Sequence, residues 1–203
     1  MLSIVHTHAR GRCLIASEHI QAGSDVIVED PFVSVAFETG VESNISLAHR
    51  LYEKCCIGQT EREAFLNLCA PCKSRISTEH IEKLRKLTRA NSGNLGHGLE
   101  FSEIFSRMNY NAFTIQDNEM MAIGVGVYIQ AAMINHSCDP NCVQTFVKNK
   151  LYIRTIRDIQ KGEEITITYI GKKAFSYRSK FRIIKALVAV LKRYAFSHHS
   201  KQT

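Results

Sequence analysis

Apolar residues recur in three short runs near the start of the chain, and this pattern predicts β-strands. The runs cover residues 13–16, 26–28 and 32–35, and β-branched residues are frequent in them. Turn-forming residues separate the runs, with Gly23 in the first break and Pro31 in the second. We therefore expect a small antiparallel β unit in this part of the chain.

The first of these turns has a second copy near the end of the chain. Residues 20–26 read Ile-Gln-Ala-Gly-Ser-Asp-Val, and residues 159–165 read Ile-Gln-Lys-Gly-Glu-Glu-Ile. We interpret the pair as one turn leading into a strand that is used twice, and not as the period of a solenoid.

Helical spacing replaces the strand pattern between residues 47 and 90. Thr78 is a candidate cap for the second helix of this segment. The glycine-rich stretch 91–98 then predicts a flexible connection, because it lacks the Lys-Ser/Thr of a phosphate loop. The segment is therefore predicted to be a helical insert. Its apolar positions are Leu47, Leu51, Phe65, Leu68, Ile81, Leu84 and Leu87.

Strand patterns return in the second half of the chain, between two further helices. A helix with a basic face and an apolar stripe is predicted over residues 175–194. Such a helix suits a membrane surface or an acidic partner, but packing of its stripe on the domain is the commoner outcome. The other predicted elements are a short helix at 101–108, strands at 112–115, 120–127 and 164–170, and a hairpin of 143–147 with 151–156.

Composition and charge are those of an ordinary globular protein. The chain has 45% hydrophobic and 22% charged residues and a net charge of +7, with Lys and Arg densest at 172–193. This charge favours an acidic partner or a nuclear setting, and a solvated basic helix face explains it equally well. Residues 1–12 lack the apolar core of a signal peptide, and the longest apolar stretches are too short to span a bilayer. We therefore expect an intracellular protein that does not bind membranes.

The seven cysteines of the chain favour free thiols or metal ligands over disulfides in an intracellular protein. Four of them, Cys55, Cys56, Cys69 and Cys72, have a spacing that allows a zinc site. Two adjacent cysteines on a helix, however, cannot easily bind one ion together. Buried thiols are therefore the preferred interpretation of this group.

A dense polar segment directly follows the apolar run 126–134. Residues 135–142 read Asn-His-Ser-Cys-Asp-Pro-Asn-Cys. Two amides, a histidine and two thiols at the end of a buried run indicate a site built inside the fold. An Asx-type turn around Pro140 explains the same residues about equally well. The choice between a functional site and a turn therefore depends on the other motifs of the chain.

Three separated motifs together resemble the SET domain of protein lysine methyltransferases. They are Gly-Arg-Cys-Leu-Ile-Ala at 11–16, Asn-His-Ser-Cys-Asp-Pro-Asn at 135–141 and Gly-Glu-Glu-Ile-Thr-Ile-Thr-Tyr at 162–169. Within that family, Asn-Ala-Phe-Thr-Ile at 111–115 and Gly-Val-Gly-Val-Tyr at 124–128 are similar to the branch of SET and MYND domain proteins. The resemblance implies a mostly β fold with α-helices: several small antiparallel sheets with a pseudoknot, a helical insert and a C-terminal helix.

The same resemblance implies a single SET domain over residues 1–203. Its N-terminal half would be 1–40, its helical insert 41–100 and its C-terminal half 101–172. A degenerate post-SET helix and tail would follow at 173–203.

The resemblance also implies a protein-lysine N-methyltransferase that uses S-adenosylmethionine, with a histone or another protein as substrate. This cofactor carries an adenine, a ribose, an amino acid end and a sulfonium, so its site needs amide and main-chain hydrogen bonds rather than a metal. By resemblance, the amino acid end and the ribose are bound by the main chain of Arg12, Cys13 and Leu14 and by the side chains of Asn111 and Asn135. The main chain of His136 binds the adenine, and Phe196 stacks on the adenine ring.

Tyr169 resembles the catalytic tyrosine of the family, whose hydroxyl helps to align the lysine amine with the methyl group. Phe113 and Tyr194 resemble walls of the channel through which the lysine enters. An apolar channel desolvates the lysine ammonium, whose ordinary pKa is about 10.4, and so favours the reactive neutral amine.

Two features depart from the family pattern. The MYND zinc module is absent, because residues 38–75 hold four cysteines and a single histidine at other spacings. The post-SET cysteines are also missing: His198 stands where the first is expected, and Ser200 and Thr203 replace the other two. We therefore expect no zinc, or one bound weakly by Cys138 with His198 or the next histidine.

Two other functions stay open at this level. Loss of the post-SET cysteines is compatible with a SET protein that binds the cofactor, is catalytically weak and acts as an interaction module. The basic charge also suits a nucleic-acid-binding domain, although the chain carries no strong nucleic-acid signal.

Overall fold

The computed structural model describes residues 2–38, 43–70 and 101–169. The chain divides into two compact units of discontinuous segments, the first comprising Met1–Glu29, Met133–Thr145 and Leu151–Thr203 and the second Asp30–Ala132 and Phe146–Lys150. The described elements are, in chain order, β1 (Leu2–Thr7), β2 (Gly11–Ala16), β3 (Asp25–Glu29), β4 (Val33–Ala36), α1 (Ser43–Ile57), α2 (Gln59–Leu66), α3 (Phe101–Asn111), β5 (Ala112–Gln116), β6 (Ala122–Val127), a 3-10 turn (Ala131–Met133), β7 (Asn135–His136), β8 (Cys142–Val147), β9 (Lys150–Thr155) and β10 (Thr166–Ile167).

Short strands build the first unit. β1 and β2 form an antiparallel hairpin, the strands β3, β9 and β8 form a sheet in that order, and β7 and β10 form a parallel pair. Branched apolar side chains from the strands and from the segment between β9 and β10 fill the core of this unit. Those that are almost completely buried include Ile27, Leu151, Ile153, Ile159, Ile165 and Ile167.

The second unit contains three helices and the sheet β4-β6-β5 among its described elements. Its core contains the apolar positions predicted for the helical insert that fall within the described residues, namely Leu47, Leu51, Phe65 and Leu68. Helix formation there is confirmed, while the positions predicted at 81–87 and the stretch 91–98 lie outside the described residues. None of the helices in the described part of the chain is long and apolar enough to cross a membrane.

The three early strands are confirmed, but their predicted partnership is wrong. β2 pairs with β1, β3 with β9 and β4 with β6, so no two of the three strands pair with each other. Alternating apolar residues identify a strand, but tertiary contacts select its partner. β1 has no counterpart among the predicted strands, because its sequence Leu-Ser-Ile-Val-His-Thr does not alternate cleanly.

Two element ends also differ from the prediction. The strand predicted at 164–170 is shorter in the described residues, where β10 comprises Thr166 and Ile167. The preceding residues bridge to β2 instead, since Glu164 lies opposite Ile15 and the Ile165 N–H donates to the carbonyl of Leu14. The helix predicted at 101–108 extends to Asn111. The helix predicted at 175–194 lies outside the described residues.

The repeated turn is confirmed in detail. Gly23 and Gly162 have φ values of +86° and +85°, a left-handed conformation that glycine adopts at little cost. In each copy the residue after the glycine donates a main-chain hydrogen bond to the glutamine carbonyl, at 3.3 Å and 3.0 Å. The two copies meet where Ile20 and Ile159 exchange a pair of main-chain hydrogen bonds of 2.9 Å.

Candidate active site

The parallel pair of β7 and β10 brings two of the sequence motifs together. Asn135 lies opposite Thr166 in this pair. β2 joins them, because the main-chain N–H of Ile165 donates to the carbonyl of Leu14 at 2.7 Å. The three motifs that are far apart in sequence therefore meet inside the first unit.

Asn135 is oriented by acceptors that surround its amide nitrogen. Nδ2 donates to the main-chain carbonyl of Arg12 at 2.8 Å and to Oε1 of Glu164 at 2.9 Å, and it lies 3.5 Å from Sγ of Cys13. A carbonyl and a carboxylate only accept hydrogen bonds, so the amide meets them with its nitrogen. The oxygen Oδ1 accepts no hydrogen bond from the described residues and remains as an acceptor for a ligand.

Arg10 and Glu164 complete this network and were missed by the sequence prediction. Arg10 donates from Nη1 to Oε2 of Glu164 at 2.6 Å and from Nη2 to the main-chain carbonyl of His136 at 2.7 Å. The two charged residues are 154 positions apart. The sequence offered only the unexplained carboxylates of the third motif as a signal.

Asn141 is a further residue whose role exceeds the prediction. Residues 139–141 were expected to form a turn, and the N–H of Asp139 does donate to Oγ of Ser137 at 3.1 Å. The side chain of Asn141 is also buried, and its Nδ2 donates to the main-chain carbonyl of Glu164 at 2.7 Å. Together with its bond to Thr166, this contact fixes the segment that carries Glu164 and leads to Tyr169.

Tyr169 lies at the same place, just beyond β10. Its hydroxyl donates to the main-chain carbonyl of Ile134, and its main-chain N–H donates to Nδ1 of His136 at 3.0 Å. The two rings are 5.4 Å apart between centroids. Tyr169 as a residue is 61% exposed, while its hydroxyl is held in a part-buried bond to the carbonyl of the buried Ile134.

The contacts of His136 assign its neutral tautomer. Because Nδ1 accepts the Tyr169 N–H, the proton of the neutral ring belongs on Nε2. Nε2 lies 3.3 Å from Sγ of Cys138, which therefore acts as the acceptor.

Asn111 and Phe113 belong to the second unit. Nδ2 of Asn111 donates to the carbonyls of Cys69 and Arg107, each at 2.7 Å, so the nitrogen of this amide is committed to the protein. Phe113 meets Tyr128 edge-on, with ring centroids 5.7 Å apart. The roles assigned to Asn111 and Phe113 by resemblance stay predictions.

Three of the predicted site residues, Tyr194, Phe196 and His198, lie outside the described residues. Within the described ranges, no three His, Cys, Asp or Glu side chains come together as a group that could hold a metal ion. Zinc binding by Cys138, or by the group that includes Cys72, therefore stays untested.

Buried and exposed thiols should react differently with iodoacetamide. Burial raises the pKa of the Cys142 thiol to about 12 and the pKa of the Cys55 thiol to about 11. Because the thiolate is the reacting form, we expect both to resist alkylation at about pH 8, and the exposed Cys69 and Cys138 to be labelled first. Peptide mapping of the folded protein by mass spectrometry measures the order. Early labelling of Cys142 would contradict its buried position.

Acid unfolding should report on the ion pair of Arg157 with Glu163. The hydrogen bond from Arg157 holds the pKa of Glu163 below its ordinary value. A carboxyl with a lowered folded-state pKa stabilises the fold above its unfolded pKa of about 4.3, and this contribution disappears as the pH falls through the folded pKa. We therefore expect Arg157→Met to unfold at higher pH than wild type in a circular dichroism titration. An unchanged midpoint would contradict the coupling.

The chain is similar to known proteins in sequence and in fold. The family model of the SET domain matches residues 11–170. Histone-lysine N-methyltransferase SMYD3 from Homo sapiens is 47% identical over 68 residues, which are 34% of this chain and 16% of that protein. N-lysine methyltransferase SMYD2-B from Xenopus laevis is 32% identical over 111 residues, 54% of this chain and 25% of that protein. The matched region thus spans a quarter or less of these relatives.

A solved structure has a similar fold. The SET domain of LSMT, crystallised with lysine and AdoHcy, superimposes with a TM-score of 0.59 at 16% identity, over 84% of this chain and 49% of that chain. The expected architecture of small, mostly antiparallel sheets with helices is confirmed. Since the family model covers most of the chain and includes all three motifs that meet at β7 and β10, the protein belongs to the SET-domain family.

Proposed function

We propose that the protein transfers a methyl group from S-adenosylmethionine to the side-chain nitrogen of a lysine in a protein. The observation that carries this proposal is the convergence of Asn135, His136 and Tyr169 at β7 and β10. The names of the relatives, which are lysine methyltransferases, support it, as does the binding of lysine and AdoHcy by the SET domain of LSMT.

The amino acid end of the cofactor would bind at Asn135. Its α-ammonium group only donates hydrogen bonds, and Oδ1 of Asn135 is the acceptor that the network of Arg12 and Glu164 leaves uncommitted. The main chain of residues 12–14 and of His136 would bind the rest of the cofactor. In this proposal Asn111 and Phe196 keep the cofactor contacts implied by resemblance.

Methyl transfer is an in-line displacement. The lone pair of the lysine nitrogen forms a bond to the methyl carbon while the carbon–sulfur bond breaks, and the sulfonium becomes a neutral thioether. The amine must be neutral before the step, and the proton it carried leaves to solvent. Because the leaving group is already activated, the protein mainly has to orient the two reactants.

Tyr169 would supply that orientation at the transfer end. Donation to the carbonyl of Ile134 fixes the hydroxyl, so its oxygen lone pairs point in a defined direction toward the incoming amine. The bond from its main-chain N–H to His136 fixes the backbone of the same residue. Phe113 and Tyr194 would line the lysine channel.

The names of the relatives support a proposal for the substrate protein and the compartment. One is named a histone-lysine N-methyltransferase and another an N-lysine methyltransferase. A histone is therefore one substrate of the proposed class, next to non-histone proteins, and the compartment would be the nucleus, the cytoplasm or both.

Labelling with radioactive S-adenosylmethionine tests the function. Purified protein is incubated with core histones and with cell extract at pH values from about 7 to 9, below the ordinary lysine pKa. We expect label on a protein lysine, located by mass spectrometry. Cofactor binding by calorimetry without any labelled protein would instead favour the alternative, a catalytically weak SET protein that acts as an interaction module.

A further inference from the structure

Glu164 and Arg10 belong to a charged cluster beside Asn135. The cluster consists of the Arg10 guanidinium, the Glu164 carboxylate, the Asn135 amide and the Arg12 carbonyl, all within the first unit. The side chain of Glu164 is 18% exposed and that of Arg10 is 45% exposed. The carboxylate is therefore largely removed from water and depends on its two donors.

Each oxygen of Glu164 has a separate donor. Oε1 accepts from Nδ2 of Asn135 at 2.9 Å, and Oε2 accepts from Nη1 of Arg10 at 2.6 Å. Because a guanidinium can only donate hydrogen bonds, Arg10 binds Oε2 of Glu164, and Oε1 remains available to accept from Asn135. The orientation of the Asn135 amide is thus set by two acceptors, the Arg12 carbonyl and a carboxylate whose own position is set by an arginine.

From this arrangement we infer that Glu164 and Arg10 are positioning residues for recognition of the cofactor's α-ammonium group. They hold Nδ2 of Asn135 toward the protein, so that Oδ1 faces the ligand as an acceptor. The inference rests on the proposed function, because it takes S-adenosylmethionine or its product as the ligand. It assigns to Glu164 and Arg10 a positioning role that acts through Asn135.

Glu164→Gln removes the carboxylate that orients the Asn135 amide, with a minimal change in the shape of the side chain. Its side chain keeps one oxygen, which Arg10 and Asn135 must now share, and gains an NH₂ group that only donates. When Arg10 takes the oxygen, two NH₂ groups face each other unless the Asn135 amide turns over, which gives up the bond from Nδ2 to the Arg12 carbonyl. Either arrangement weakens the hold on the wild-type orientation of the amide. A turned amide presents Nδ2 to the ligand and no longer accepts from the ammonium.

The test compares two ligands by calorimetry on the full chain. One is S-adenosylhomocysteine and the other is its des-amino analogue, in which hydrogen replaces the α-amino group. In wild type we expect the analogue to bind about tenfold or more weakly, as for loss of a hydrogen bond to a charged group. In Glu164→Gln this ratio should fall to about threefold or less, because Oδ1 no longer faces the missing group.

Glu163→Gln is the matched control. Glu163 is the neighbouring carboxylate and has its own arginine partner, Arg157, with similar exposure of the pair. It contacts Asn141 rather than Asn135. A purely structural effect of losing a carboxylate should lower the melting temperature in both variants, but only Glu164→Gln should change the ligand ratio.

Arg10 supplies a second, independent variant. Arg10→Met should also reduce the ligand ratio, and Arg10→Lys, which keeps the charge beside Oε2, should restore part of it. If circular dichroism shows that Glu164→Gln does not fold, the ligand ratio is measured with the two Arg10 variants instead, since Arg10 is the more exposed residue of the pair. An unchanged ratio in both Glu164→Gln and Arg10→Met, with wild type binding both ligands, would overturn this inference alone. No binding of S-adenosylhomocysteine to wild type would overturn the proposed function as well.

Discussion

Tyr169→Phe is expected to lower the rate of methyl transfer about 100-fold while changing cofactor affinity by no more than about twofold. The substitution removes only the hydroxyl, which donates to the Ile134 carbonyl. The ring and the main-chain bond to His136 remain, so the site keeps its shape. Loss of an oriented polar group at the reacting end costs rate rather than binding, because it acts mainly in the transition state.

Single-turnover methylation of a lysine substrate and calorimetry with S-adenosylmethionine separate the two quantities. Tyr110→Phe is a suitable control, because Tyr110 is also exposed, at 55%, and lies on α3. We expect this control to change neither rate nor affinity. A parallel drop in affinity and rate for Tyr169→Phe would count against a role at the transfer end.

Asn135→Ala is expected to weaken S-adenosylmethionine binding about 10- to 100-fold, the range for loss of one hydrogen bond to a charged group. The acceptor Oδ1 disappears, and so do the bonds from Nδ2 to Arg12 and Glu164. Glu164 then keeps only the Arg10 donor on its side chain among the described contacts. A lower melting temperature should accompany the loss of affinity.

Asn149→Ala is the control for Asn135→Ala, because it makes the same substitution at an exposed asparagine in the turn between β8 and β9. Calorimetry should give wild-type affinity for this control. The same Asn135→Ala protein also tests the nucleic-acid alternative. If the protein is a DNA-binding domain, salt-sensitive DNA affinity should survive the substitution unchanged and no cofactor binding should be seen in wild type.

The candidate site was partly readable from the sequence because its parts are contiguous motifs. Asn135, His136 and Tyr169 lie in two motifs of unusual composition, and a family resemblance assigned them roles before any contact was known. The fold brings these residues together at β7 and β10, and the roles assigned to them stay predictions. The local sequence was sufficient to identify these candidates, since each motif contains its polar groups within a few consecutive residues.

Arg10 and Glu164 could not be found in the same way. Arg10 is an ordinary exposed arginine at the end of a hairpin, and nothing near it in sequence requires a partner. Its partner is supplied by a segment 154 positions away, through the fold. Asn141 is similar: as a turn residue it is unremarkable in sequence, and only burial against Thr166 and Glu164 gives its amide a structural role.

The sequence by itself determined most of the described strands, the helical character of the described part of the insert and the repeated glycine turn, because these depend on residue spacing and on local backbone preferences. It also determined the SET family through its three motifs. Only the tertiary structure decided which strands pair, since β2, β3 and β4 each join a different sheet. It alone decided the orientation of the Asn135 amide, because hydrogen-bond direction is set by the donors and acceptors that the fold brings within about 3 Å of each other.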